Sequence, residues 1–322
     1  MQSALLEKEF ESHFNKYSTV WKNELRPQLK GEWMENEPLA RYTTVKVGGP
    51  ADVLFFPASV EDLILAVQFC KKNSVPYFIL GNGSNLLVRD GGIRGLVLKL
   101  HRCLNSFNLE KEEGDEVWIR AEAGLPTPKL VEHCRQQGYT GIESLYGIPG
   151  SIGGAIVMNA GTREGEVGAV VEELVVMDAT GEIKTYPKKK LRFEYRDLDI
   201  PRTEIVLNVL LKLKKSTSEE VSSKLSFFQK RRHETQPLDQ ANMGSVFKNP
   251  PKHFAAQIIE ELGLKGVRVG GARLSEKHSN WIVNEGGATA KDIQALMGLI
   301  KDKVKETLGI KLETEVKVVG EK

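Results

Sequence analysis

Between Glu143 and Arg163 the chain carries no charged residue, yet the run is broken repeatedly. From Leu145 to Gly161 it holds Gly147, Gly150, Gly153, Gly154 and Gly161 together with Pro149. A stretch this apolar is expected to be buried, and one this interrupted cannot be a membrane helix or a plain core strand. It must be buried and bent. Glycine lets backbone approach a flat or anionic ligand closely and exposes amide donors that a side chain would cover. By itself the stretch also fits a tight apolar turn inside a core.

A second glycine loop strengthens the ligand reading. Phe78-Ile79-Leu80 has the pattern of a short buried strand and runs into Gly81-Asn82-Gly83-Ser84-Asn85, followed by Leu86-Leu87-Val88. Two such loops can hold a large phosphate-bearing cofactor from two sides. Gly81-x-Gly83 is not a Rossmann fingerprint. Leu86 occupies the third glycine position, and Val88-Arg89-Asp90-Gly91-Gly92 breaks off where a helix should continue.

Along the rest of the chain, Leu6, Phe10, Phe14, Tyr17, Trp21, Leu25 and Leu29 form the stripe of an amphipathic helix, so residues 1–40 read as a helical extension. Strands are predicted over Ala51–Pro57, Val75–Leu80, Gly95–Leu100, Glu116–Ala123 and Glu204–Leu213, with a hairpin from Leu174 to Ile183 turning at Ala179-Thr180-Gly181. Ser59 and Asp62 resemble a capping box opening a helix through Cys70, and Pro128–Gln137 is a further helix. The polar run Lys214–Glu220 marks a boundary. Beyond it the pattern restarts: a basic helix over Lys224–His233, a short helix over Phe254–Leu262, a helix capped by Thr289 with Asp292 and ended by Gly309, and a last strand from Ile310 to Val319.

With 322 residues, 40% hydrophobic and 27% charged, the chain can bury two or three cores, and its formal charge of +2 offers no field to recruit nucleic acid. Cys70, Cys103 and Cys134 are odd in number and widely spaced, which argues against disulfides and zinc and for a reducing compartment. The six histidines show no metal-ligand spacing, so no metal site is expected. Glu7, Lys8 and Glu9 interrupt any signal-peptide pattern, and no window is long enough for a membrane span, leaving the cytoplasm as the expected compartment.

Six segments in register resemble the UDP-N-acetylenolpyruvoylglucosamine reductase (MurB) family of bacterial cell-wall synthesis. They are Thr43–Ala51, Leu80–Val88, Gly147–Gly161, Tyr195-Arg196, Gly244–Pro250 and Leu312–Val316, and they span the chain from about residue 41 to its end. The resemblance implies an α+β architecture: a two-lobed FAD-binding fold of the vanillyl-alcohol oxidase (PCMH) type over 41–215, and a smaller α+β substrate-binding domain over 216–322. It implies noncovalent FAD held by Gly81, Asn82, Gly83, Ser84, Asn85, Gly147, Pro149, Gly150, Ser151, Gly153 and Gly154, with bare amides facing its pyrophosphate. NADPH is then the reductant and UDP-N-acetylglucosamine enolpyruvate the substrate, with no obligate protein partner.

The same resemblance gives roles to three side chains. Arg196 would polarise the substrate's enolpyruvyl carboxylate, a task suited to a planar, permanently charged fork. Ser245 would be the general acid, and Glu315 the acidic partner of Arg196, while Lys248 and Asn249 would contact the nucleotide sugar. Read from residues alone, Arg196 is a surface arginine, Ser245 a turn serine and Glu315 one of a solvated face it shares with Glu313 and Lys317. Asp197-Leu198-Asp199 departs from the family, which often has a small hydroxyl residue there. Two other functions remain open at this stage: another FAD-dependent oxidoreductase of the same fold, or a flavin-binding protein without catalysis.

Overall fold

The computed structural model describes residues 21–322, which fall into two compact units. The first contains Val53–Gly81 and Gly95–Lys230 with the segment before Glu35, and the second contains Asn36–Asp52, Asn82–Arg94 and Arg231–Lys322. This differs from a contiguous division at 215/216. The polar run at 214–220 is no linker, because the strand Ile205–Lys215 reaches into it and the helix Ser218–Thr235 starts from it.

In the first unit an antiparallel sheet runs in the order Ile183–Pro187, Val171–Met177, Ile205–Lys215, Glu116–Glu122 and Phe107–Glu113. Glu116–Glu122 alternates as its sequence requires: Val117, Ile119 and Ala121 are fully buried while their neighbours are half-buried. The helix Thr127–Gln137 buries Thr127, Leu130, Val131 and Cys134, a three-to-four-residue stripe, and ends on Gly138 in the left-handed conformation. Tyr77–Ile79 pairs in parallel with Leu96–Leu98, and the helix Val60–Lys72, capped by the Ser59 hydroxyl, connects the strand Pro50–Phe56 to it.

Of the expected N-terminal helix, Leu6, Phe10, Phe14 and Tyr17 lie outside the described residues. Trp21, Leu25 and Leu29 are buried, but only short helical turns span Trp21–Gln28, and Glu32–Pro38 is a strand. The extension is therefore not helical to residue 40.

The second unit has its own core around the helix Ala290–Leu308, which buries Ile293, Leu296, Met297, Ile300 and Val304. Thr289 and Asp292 form the full capping box, and Gly309 closes the helix at φ 69°. A four-stranded sheet in the order Ala241–Ser245, Trp281–Asn284, Ala272–Leu274 and Arg268–Val269 packs with it. The expected last strand is shorter than predicted: Lys317–Val319 pairs in parallel with Leu86–Val88, and upstream only Thr314 bridges, to Phe247.

Candidate active site

Ser245 ends the strand Ala241–Ser245, opposite Trp281, where the ladder is irregular and Gly244 sits at φ 73°. That irregularity turns the chain, and the next residues are held from behind by Asn280. The Val246 N–H donates to the Asn280 carbonyl at 2.9 Å. The Phe247 N–H donates to Asn280 Oδ1 at 2.9 Å, and Asn280 Nδ2 donates to the Phe247 carbonyl at 2.8 Å. Asn280 is 3% exposed, so these bonds have no water to replace them. The Ser245 hydroxyl itself meets no partner among the described residues.

The segment carrying Glu315 lies against this turn. Its N–H donates to the Val246 carbonyl at 2.8 Å, and the Lys248 N–H donates to the Glu313 carbonyl at 2.9 Å. On its other side Asn85 Nδ2 donates to the Glu315 carbonyl at 3.3 Å. Ser245, Glu315 and the end of the first glycine loop are thus neighbours. Glu313 is exposed while Glu315 is half-buried, as their environments on either side of Thr314 dictate. Asn249 has a structural task as well: its Oδ1 accepts from the Ala255 N–H at 3.0 Å, at the start of the helix Ala255–Glu261.

Arg196 belongs to the first unit, at the tip of a two-residue turn between Phe193–Glu194 and Asp197–Leu198. Its backbone is left-handed at φ 59°, a conformation that costs a non-glycine residue roughly 1–2 kcal/mol. The guanidinium donates to the Gly161 carbonyl at 3.1 Å, lies 3.5 Å from Glu166 Oε1 and stacks 5.0 Å over the Tyr195 ring. Glu166 is itself fixed by Asn159, a buried residue whose Nδ2 donates to Glu166 Oε2 at 2.8 Å and to the Glu194 carbonyl at 2.9 Å. Within its unit Glu166 is a carboxylate facing Arg196, and sequence reasoning did not single it out. An open recess of about 650 Å³, lined among others by Asn159, Arg163, Glu166, Phe193 and Tyr195, borders this turn. Asp197, the departure from the family pattern, accepts from Arg202 Nη2 with both carboxylate oxygens, at 2.9 and 3.1 Å.

The glycine loops divide by what their amides do. The N–H groups of Gly81, Asn82, Gly83, Ser84 and Asn85, and those of Gly147, Gly150 and Ser151, meet no acceptor among the described residues. The expectation of bare amides fails for the rest of the second stretch. Ile152 and Gly153 donate to the carbonyls of Leu125 and Ala123 at 2.9 and 2.8 Å, and Gly154 donates to Ser151 Oγ at 3.3 Å. Gly83 and Gly153 are also glycine for an internal reason: a Cβ would stand 2.2 Å from the Tyr42 carbonyl oxygen in one case and 2.9 Å from Ala123 Cβ in the other. At Gly154 a Cβ would meet only Ser151 Oγ, at an ordinary 3.4 Å.

Known proteins resemble this chain in sequence and in fold. Family models match over residues 51–186, described as an FAD-binding domain, and over residues 236–319, described as the UDP-N-acetylenolpyruvoylglucosamine reductase C-terminal domain. A UDP-N-acetylenolpyruvoylglucosamine reductase of Clostridium botulinum (strain 657 / Type Ba4) is 43% identical over 287 residues, covering 89% of this chain and 92% of the relative. The one from Clostridium novyi (strain NT) is 43% identical, covering 91% and 94%. The crystal structure of the Thermus caldophilus reductase superposes with a TM-score of 0.76 at 38% identity, over 90% of this chain and 99% of that one. The fold is the expected α+β one, with an FAD-binding portion and a smaller C-terminal domain.

Proposed function

The chain belongs to the UDP-N-acetylenolpyruvoylglucosamine reductase family, and from that premise we propose how its residues carry the reaction. It is an FAD-dependent reductase of peptidoglycan precursor synthesis, converting UDP-N-acetylglucosamine enolpyruvate to UDP-N-acetylmuramate, with NADPH as the reductant. The residues present fit the flavin dinucleotide: the amides of Gly81–Asn85, Gly147, Gly150 and Ser151, which meet no acceptor among the described residues, are donors of the kind an anionic linkage needs. Bound FAD supplies hydride chemistry that no side chain offers.

The protein contributes orientation, charge and a proton. Arg196, held at its turn by Gly161 and Glu166, takes the substrate's carboxylate. Ser245 Oγ delivers the proton to the carbon that gains negative charge, and Glu315 stabilises the enol-like form of the same group. Lys248 and Asn249 are assigned to the nucleotide sugar, Asn249 through the Nδ2 that its capping bond leaves available.

The observation that carries this reading is the arrangement in which the residue after Ser245 accepts a bond from Glu315 while Asn85 of the flavin loop donates to Glu315. A yellow purified protein that oxidises NADPH faster when the enolpyruvyl sugar nucleotide is added confirms it. A colourless protein that cannot be loaded with FAD, or a yellow one that ignores this substrate, overturns it. Among the described residues no helix is long and apolar enough to cross a membrane, and we place the enzyme in the cytoplasm, where its product serves wall growth, cell shape and division.

A further inference from the structure

Lys99 immediately follows the strand Ile93–Leu98, in the first unit, and no feature of the sequence marks it. The parallel pairing of Ile79 with Leu98, followed by the Leu80 N–H bond to the Leu98 carbonyl at 2.9 Å, brings Lys99 level with Gly81. There its Nζ donates to the Gly81 carbonyl at 2.7 Å. Gly81 in turn lies beside the second glycine stretch, since a Cβ on it would stand 3.1 Å from Ser151 Oγ. Burial lowers the Lys99 ammonium to about 8, from an ordinary 10.5.

A trans peptide is planar, and its C=O and N–H point in opposite directions. An ammonium that grips the Gly81 carbonyl therefore decides where the Asn82 N–H points: away from Lys99. That N–H is one of the amides without an acceptor among the described residues. A cation behind this peptide also attracts an anionic ligand to the loop, which a neutral donor to the same carbonyl would not do.

We propose that Lys99 is a positioning residue for the flavin dinucleotide: it fixes the Gly81–Asn82 peptide with its N–H presented to the anionic linkage and places a positive charge behind it. The inference rests on the flavin reading given above. Its test uses protein stripped of cofactor and titrated with FAD and with riboflavin, which lacks the phosphates. Lys99→Met is expected to weaken FAD binding by on the order of tenfold or more, the worth of a charge-assisted contact, and to leave riboflavin binding unchanged. The salt dependence of FAD binding should flatten as well.

Lys99→Gln, which keeps a donor without charge, should fall between the two. Lys99→Met also removes the donor to the Gly81 carbonyl, so urea unfolding of the stripped protein should show a modest loss that Lys99→Gln, which keeps a donor, largely restores. Unchanged FAD affinity in Lys99→Met overturns the proposal. So does an equal loss for FAD and riboflavin, the signature of a purely structural lysine. A wild-type protein that takes up no FAD overturns the flavin reading instead.

Discussion

Replacing Asn280 by alanine tests whether the turn after Ser245 is the frame of the catalytic groups. The substitution leaves the Phe247 N–H and C=O without the side-chain partners that now bind them at 2.9 and 2.8 Å. Phe247 is 1% exposed and Asn280 3%, so water cannot stand in. Each buried polar group left unpaired costs about 1–3 kcal/mol, so the pair should cost about 2–6 kcal/mol, a large share of a domain's stability. Urea unfolding followed by far-UV circular dichroism measures it.

The same change loosens Phe247 and, through it, the adjoining Val246 carbonyl that holds the Glu315 N–H at 2.8 Å, while the Val246 N–H keeps its bond to the main-chain carbonyl of residue 280. Reduction of the enolpyruvyl substrate should fall by roughly 10–100-fold from misplacement alone, while reduction of bound flavin by NADPH is spared. Asn280→Asp is the companion variant: it keeps the acceptor for the Phe247 N–H but sets a carboxylate oxygen against the Phe247 carbonyl, and should be nearly as harmful. A loss below about 1 kcal/mol in Asn280→Ala, with unchanged substrate turnover, would refute the argument.

Ser245→Ala and Glu315→Gln should each slow the substrate half-reaction by roughly 10²–10⁴-fold in stopped-flow traces of reduced flavin, with Glu313→Gln close to wild type; the reverse order would reassign the roles. Glu166→Gln should raise KM for the enolpyruvyl substrate with a smaller effect on kcat, since it loosens Arg196 without touching Ser245; an unchanged KM removes Glu166 from the site. Gly83→Ala should cost about 1–2 kcal/mol or more in urea unfolding, because φ is 65° there and the new Cβ meets the Tyr42 carbonyl at 2.2 Å. Gly154→Ala, at an ordinary contact, should spare stability and weaken FAD binding; unchanged FAD affinity would remove Gly154 from the cofactor site. Desolvation by burial holds His278 below the usual 6.5, and its Nδ1 accepts from the Asn280 N–H at 3.2 Å. The neutral form's stabilisation is full above pH about 6.5 and is lost as pH falls through the depressed value, so urea midpoints should drop on acidification; an equal slope in His278→Gln would refute that source.

The sequence by itself determined what is local or repeated. The stripe of the helix Ala290–Leu308, its Thr289 and Asp292 box, its Gly309 stop and the alternation of Glu116–Glu122 follow from periodicity and capping chemistry, which act within a few residues. The two glycine loops were legible for the same reason, and so was the family, because its motifs are short and contiguous. The tertiary structure alone decided which unit each segment joins: Asn36–Asp52 and Asn82–Arg94 fold with the C-terminal residues, although the chain leaves and re-enters. It also decided which glycines serve packing and which amides remain unbound, and it revealed Asn280, Glu166 and Lys99 as the supports of Val246–Phe247, Arg196 and Gly81. Those supports act across 33, 30 and 18 residues of chain. A hydrogen bond made at such separation leaves no period or motif in the sequence, because its partner is chosen by how the backbone packs.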